Sequence, residues 1–162
     1  MLDAIDILKK RGLSIPEYAV QDGLEAATWK ARFEIIKNNP MVIFDGAHNP
    51  QGIDVAVESI KNYFGDKKVI IMTGVLRDKD YNIIAKRISE VSKKAFTITP
   101  DNPRALSSED YAKTLSSFGV EATPCANIRE ALALGCDTAL TDDTALCCLG
   151  SLYTYIDVIN AL

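Results

Sequence analysis

The residues best suited to chemistry lie in one string, Met41-Val42-Ile43-Phe44-Asp45-Gly46-Ala47-His48-Asn49-Pro50. An apolar run stops at an acid, a Gly-Ala pair follows, and then comes the only histidine of the chain. Asn49-Pro50 is a helix start, because Asn caps a helix amino end and Pro fits its first turn. Asp45 and His48 are therefore presented together, at the carboxyl end of a strand and the amino end of a helix. Open α/β sheets bind ligands at that edge, and a helix amino end favours anions. An aspartate there can cap the next helix, accept ribose hydroxyls, bind a metal or act as a nucleophile. A phosphoryl-accepting aspartate would want a second acid two residues on, and that position is Ala47. A neutral His48 can hydrogen-bond a ligand or accept a proton; the plainer reading is a cap or surface histidine.

Three further segments end strands with polar residues. Gly74-Val75-Leu76-Arg77-Asp78-Lys79-Asp80 reads either as a solvated turn with Asp80 capping a helix, or as a loop that turns Lys79 or Arg77 toward a carboxylate or phosphate. In Pro100-Asp101-Asn102-Pro103-Arg104-Ala105-Leu106, two prolines stiffen the loop and fix where Arg104 points. Gly150-Ser151 offers a small hydroxyl and nearby backbone amides to a carboxylate. Four polar strand ends on one edge point to a ligand site. The chain holds no Gly-x-x-x-x-Gly-Lys-Ser/Thr phosphate loop, no Gly-x-Gly-x-x-Gly after a strand and no nucleophile elbow.

The elements that must position these residues alternate from Met41 onward. The spacing of apolar residues predicts strands over 41–44, 69–73, 95–99, 120–124 and 144–149. Helices are predicted over 50–63, 81–91, 108–118, from Asn127 (with Glu130 completing a capping box), and from about Leu152. That alternation implies an α/β, Rossmann-like, three-layer domain: a mainly parallel sheet of about five or six strands with helices on both faces. The first forty residues do not fit it. Residues 1–12 read as a short amphipathic helix, Ile15-Pro16 as a break, Asp22 to Ala27 as one short turn, and Trp29 to Ile36 as a strand before an Asn38-Asn39-Pro40 turn.

The 162 residues suffice for one full domain with its own core. A net charge of −4 with no basic block argues against a nucleic-acid surface. No apolar run approaches the roughly 20 residues that span a bilayer. An acid in Met1-Leu2-Asp3-Ala4-Ile5-Asp6 speaks against a signal peptide. Cys125, Cys136, Cys147 and Cys148 lack metal or disulfide-framework spacing and read as reduced core residues of a cytoplasmic protein, with adjacent Cys147 and Cys148 on opposite faces of a strand.

Taken together, Trp29-Lys30-Ala31-Arg32-Phe33-Glu34, Asp45-Gly46-Ala47-His48-Asn49-Pro50, Asp78-Lys79-Asp80, Pro103-Arg104-Ala105-Leu106 and Gly150-Ser151-Leu152-Tyr153 resemble, in order, the carboxyl-terminal domain of folylpolyglutamate synthase/dihydrofolate synthase in the Mur ligase superfamily. The family usually has Pro-Gly where this chain has Lys30-Ala31. The resemblance implies an ATP-dependent ligase: ATP phosphorylates a folate carboxylate and the amino group of L-glutamate attacks the acyl phosphate. It places Arg32 and Asp45 at the nucleotide, with Arg32 on phosphate and Asp45 on ribose hydroxyls, and His48 and Ser151 near the incoming glutamate. Lys79 and Arg104 join them as cations able to meet glutamate carboxylates. It also implies that Mg2+ is bound mainly by an amino-terminal P-loop domain, so no metal ligand is assigned here. Residues 1–28 would then be the remnant of that domain and its linker, residues 29–162 the glutamate-ligase domain, and the chain alone inactive. A stand-alone α/β module that binds an anion or nucleotide without catalysis is the alternative.

Overall fold

The computed structural model describes residues 2–162 and forms two compact units, the first ending at Lys30 and the second running Ala31–Leu162. The first unit holds α1 (Leu2–Lys10) and α2 (Glu17–Glu25). In α1, Asp3 in the first turn and Lys9 and Lys10 in the last complement the helix dipole, and Gly12 follows in the left-handed conformation at φ +94°. The expected short turn over Asp22 to Ala27 is instead the end of the nine-residue α2. Pro16 stands just before it in extended conformation, so the proline read as a break also starts a helix. Met1 lies outside the described residues.

The second unit carries the sheet. Its elements are β1 (Glu34–Asn38), β2 (Met41–Phe44), α3 (Pro50–Phe64), β3 (Val69–Thr73), α4 (Tyr81–Ser89), β4 (Ser92–Thr97), α5 (Ser108–Ser117), β5 (Glu121–Pro124), α6 (Ile128–Thr141), β6 (Leu146–Leu149) and α7 (Tyr155–Ala161). A 3-10 turn, Leu152–Thr154, precedes α7. The sheet order is β1-β2-β6-β3-β4-β5; β1 runs antiparallel at the edge and every other pair is parallel. The mainly parallel α/β sheet read from the sequence is therefore present, with six strands. β1 begins at Glu34 rather than Trp29, because Ala31 and Phe33 occupy the left-handed region (φ +59° and +42°), which no strand tolerates.

Two cores flank the sheet. On one face Ile53, Val57 and Ile60 of α3 and Ile84 and Ile88 of α4 pack with Tyr111 and Leu115 of α5. On the other, Ala131, Leu132 and Ala139 of α6 and Val158 of α7 pack with Phe44, Ile70 and Met72. β3 and β6 are buried along their whole length, as strands covered on both faces must be. Cys147 faces the first core and Cys148 the second, as the period of two requires. The expected cap of α6 forms: Asn127 Oδ1 accepts the Glu130 N–H at 3.0 Å, and Glu130 Oε2 accepts the Ala126 N–H at 2.6 Å. Asp80 precedes α4 but makes no side-chain cap, so that part of the sequence reading is corrected.

Of the four thiols, Cys125, Cys147 and Cys148 are buried and Cys136 only partly so. Burial pushes Cys125 up to about 11, and burial with the charge of Asp45 pushes Cys147 up to about 12. Thiolate is the reactive form, so neutral pH keeps these groups inert. At pH 8 a disulfide reagent should label Cys136 first and reach Cys147 and Cys148 only on unfolding; equal native labelling rates for all four would contradict the packing.

Candidate functional site

Four strand ends build one cleft. The loops after β2 and β6 form one wall, joined where Gly150 N–H donates to the Ala47 carbonyl at 2.9 Å. The loops after β3 and β4 form the other, stitched by a Leu76–Ala105 bridge, by Arg77 N–H to the Arg104 carbonyl at 2.8 Å and by Leu106 N–H to the Val75 carbonyl at 3.0 Å. The walls meet at Gly150. Its φ is +102°, and a Cβ there would lie 2.7 Å from the Gly74 carbonyl oxygen, so only glycine allows this approach. The cleft encloses about 330 Å³ and is lined by His48, Leu76, Lys79, Arg104, Ser151 and Tyr153 among others. That volume is at the small end for ligand sites and suits a molecule of amino-acid size.

The structure thus brings together His48, Lys79, Arg104 and Ser151, four residues singled out on separate loops. His48 Nδ1 lies 2.8 Å from the Gly46 carbonyl oxygen. A carbonyl can only accept, so Nδ1 carries the hydrogen, and in the neutral ring Nε2 is left as the acceptor. Ser151 is buried; its Oγ accepts the Tyr153 N–H at 3.3 Å, which leaves the hydroxyl hydrogen to donate. Arg104 Nη1 pairs with Asp78 at 2.7 Å, and Asn102 Oδ1 accepts the Arg104 N–H at 2.9 Å. Both members of the ion pair are about half exposed, so it is worth at most about 1 kcal/mol and serves to aim the guanidinium. Asp78 was visible only as part of a motif; its partner lies 26 residues away and no local pattern announces it. Arg77 does not turn to the cleft chemistry: its Nη2 donates to the Ala105 carbonyl at 3.2 Å.

Asp45 and Arg32 lie beside this cleft. Asp45 is buried, Oδ2 accepting the Phe33 N–H at 2.9 Å and Oδ1 the Ala47 N–H at 2.8 Å. It therefore fixes both the turn toward His48 and the strap Ala31-Arg32-Phe33. Ala31 is anchored in one core and Phe33 packs against the other, so the strap straddles the sheet edge and throws Arg32 outward. Arg32 Nη1 sits 4.0 Å from Asp45 Oδ1, with about half of its side chain exposed. At Ala31 the left-handed backbone costs about 1–2 kcal/mol, which explains a preference for glycine there; burying its methyl returns about 0.8 kcal/mol. Among the described residues, no group of three or more His, Cys, Asp or Glu is placed to hold a metal ion.

The fold is a three-layer α/β domain with a cleft, lined by His48, Lys79, Arg104 and Ser151, at the carboxyl edge of its sheet. The family model "Mur ligase, glutamate ligase domain" matches residues 31–152, and the chain belongs to that family. It is 36% identical over 93 residues, 57% of this chain and 22% of the relative, to folylpolyglutamate synthase of Lacticaseibacillus casei. It superposes with a TM-score of 0.81 on the bifunctional folylpolyglutamate synthase/dihydrofolate synthase of Yersinia pestis complexed with AMPPNP and Mn ion, at 26% identity, covering 98% of this chain and 37% of that one. The Mycobacterium tuberculosis folylpolyglutamate synthase complexed with ADP and AMPPCP gives a TM-score of 0.78 at 28% identity, covering 89% and 34%. The chain therefore spans between about a fifth and two fifths of these relatives.

The buried carboxylate makes a direct test. Asp45→Asn would set an amide NH2 against one of two backbone N–H donors, and leaving a buried donor unpaired costs about 1–3 kcal/mol. Urea unfolding should register that loss; an unchanged midpoint would contradict the arrangement.

Proposed function

We propose that this chain is the glutamate-binding domain of an ATP-dependent ligase of the folylpolyglutamate/dihydrofolate synthase type. The observation that carries the reading is the meeting of His48, Lys79, Arg104 and Ser151 in one cleft. Free glutamate has two carboxylates and an ammonium group that must lose a proton before it can attack. Two cations, Lys79 and Arg104, match the carboxylates, and the Ser151 hydroxyl donates to one of them. Nε2 of a neutral His48 accepts a hydrogen from the amino group and holds its lone pair toward the electrophile. The amine then attacks the acyl phosphate of the folate, the C–N bond forms and phosphate leaves. On this reading His48 is the one catalytic residue, and the others bind.

The nucleotide belongs to the neighbouring edge. The exposed guanidinium of Arg32 suits phosphate oxygens, and Asp45, beyond its two backbone contacts, has lone pairs that suit ribose hydroxyls. ATP supplies the activation of the folate carboxylate. This chain has no phosphate loop, so a P-loop domain must contribute the cradle for the triphosphate and Mg2+. Residues 1–28 suit a linker to it, residues 29–162 the ligase domain, and the cytoplasm is the expected compartment.

Steady-state kinetics of a ligase carrying this domain test the reading. His48→Ala should raise the KM for glutamate at least about tenfold, the value of one lost hydrogen bond to a charged group, with little change for ATP; Arg32→Ala should do the reverse. The chain alone should add no glutamate to a folate. Equal effects of both substitutions on both substrates would overturn the assignment, and ligation by the chain alone would overturn its dependence on a partner domain.

A further inference from the structure

The motif that carries Arg32 ends on Glu34, to which neither the cleft nor the nucleotide edge gives a task. Glu34 opens β1 and is partly buried. A single oxygen, Oε2, accepts the Ala31 N–H at 2.6 Å and the Tyr155 hydroxyl at 3.0 Å. Ala31 is the first residue of the strap. Tyr155 opens α7 just beyond Ser151–Tyr153, which forms one lip of the cleft, and its ring packs edge-on against Phe44 with centroids 5.0 Å apart. Burial, and then the hydrogen bond to Glu34, push the Tyr155 phenol up from its usual range, so at neutral pH it remains a donor. The two partners of Oε2 are thus separated by 124 residues, from 31 to 155, and this carboxylate hydrogen-bonds both.

A second contact runs beside the first. Gly46 N–H donates to the Ala31 carbonyl at 2.8 Å. Leu152, in the lip, lies so close to Gly46 that a methyl added there would come within 2.6 Å of Leu152 Cδ1. The Thr154 hydroxyl donates to the Ser151 carbonyl at 2.9 Å and makes the lip one piece with the start of α7. The strap has two left-handed residues and must be held from outside to keep that shape.

We propose that Glu34 and Tyr155 are positioning residues: they couple the strap that aims Arg32 to the Ser151–Tyr153 lip of the cleft, so that occupancy of either side favours the same arrangement of both. This rests on the glutamate reading of the cleft and extends it by naming the link between the two half-sites. Because coupling is reciprocal, nucleotide at Arg32 should tighten glutamate binding by the factor that glutamate tightens nucleotide binding.

Residue-resolved amide hydrogen exchange on this chain tests the joint without any ligand. Tyr155→Phe removes only the hydroxyl. It should speed exchange at Ala31 and Gly46 about tenfold, the protection one hydrogen bond gives, while Ile70 and Ile71 in the core change less than about twofold. Glu34→Gln, whose amide oxygen still accepts, should keep part of the protection that Glu34→Ala loses. No change at Ala31, or an equal loss at every core amide, would overturn the proposal. In the ligase, Glu34→Ala should raise the KM values for glutamate and nucleotide together. If it moves only one, the joint is refuted while the cleft reading stands. If instead the His48 and Arg32 variants fail to separate the two substrates, the cleft reading falls and the exchange result still decides the joint.

Discussion

The site depends on the carboxylate of Asp45. Its two oxygens take backbone N–H groups from opposite sides, Phe33 on the strap and Ala47 on the turn that leads to His48. One buried group thereby sets the geometry of both functional edges. A neutral side chain of the same shape could satisfy only one of the two donors, so the chemistry of an acid is needed even before any ligand arrives. The sheet supplies the rest: β6 inserts between β2 and β3, and this brings the Gly150 loop to the Ala47 carbonyl and to Gly74.

That insertion is why residues from four distant loops share a cleft. Each loop follows a parallel strand, so each opens at the same edge, and backbone hydrogen bonds join them in pairs. The side chains contribute charge and aim more than stability. The Arg104–Asp78 pair is half exposed and the half-exposed Arg32 stands 4.0 Å from Asp45, so neither ion pair holds the fold, yet each restricts where a guanidinium can point. Cations held by weak pairs remain available to a carboxylate or phosphate that displaces or shares the partner.

Much of this was legible in the sequence, for physical reasons. Buried parallel strands are short apolar runs, so β2 and β3 were readable to the residue. Asn49-Pro50 and Asn127 with Glu130 announced helices through their cap chemistry. The opening segment was less legible. Pro16 signals both a break and a helix start, and the left-handed Ala31 and Phe33 carry no glycine to mark the bend that delays β1. Long-range partners left no local trace: Asp78 and Glu34 were motif residues without a stated task, Arg104 was expected at a ligand carboxylate and not beside Asp78, and Tyr155, the partner of Glu34, lay outside every motif. Cys136, expected in the core with the other cysteines, is only partly buried.

The proposed seating of L-glutamate in the cleft puts its amino group at His48. The chain has one histidine, so its ring gives a single set of signals in a proton NMR spectrum. Titration with L-glutamate should shift those signals saturably, and the shift should vanish when both Lys79 and Arg104 are replaced by alanine. A ring signal that stays fixed through millimolar glutamate, or that shifts equally well without the two cations, would contradict the account.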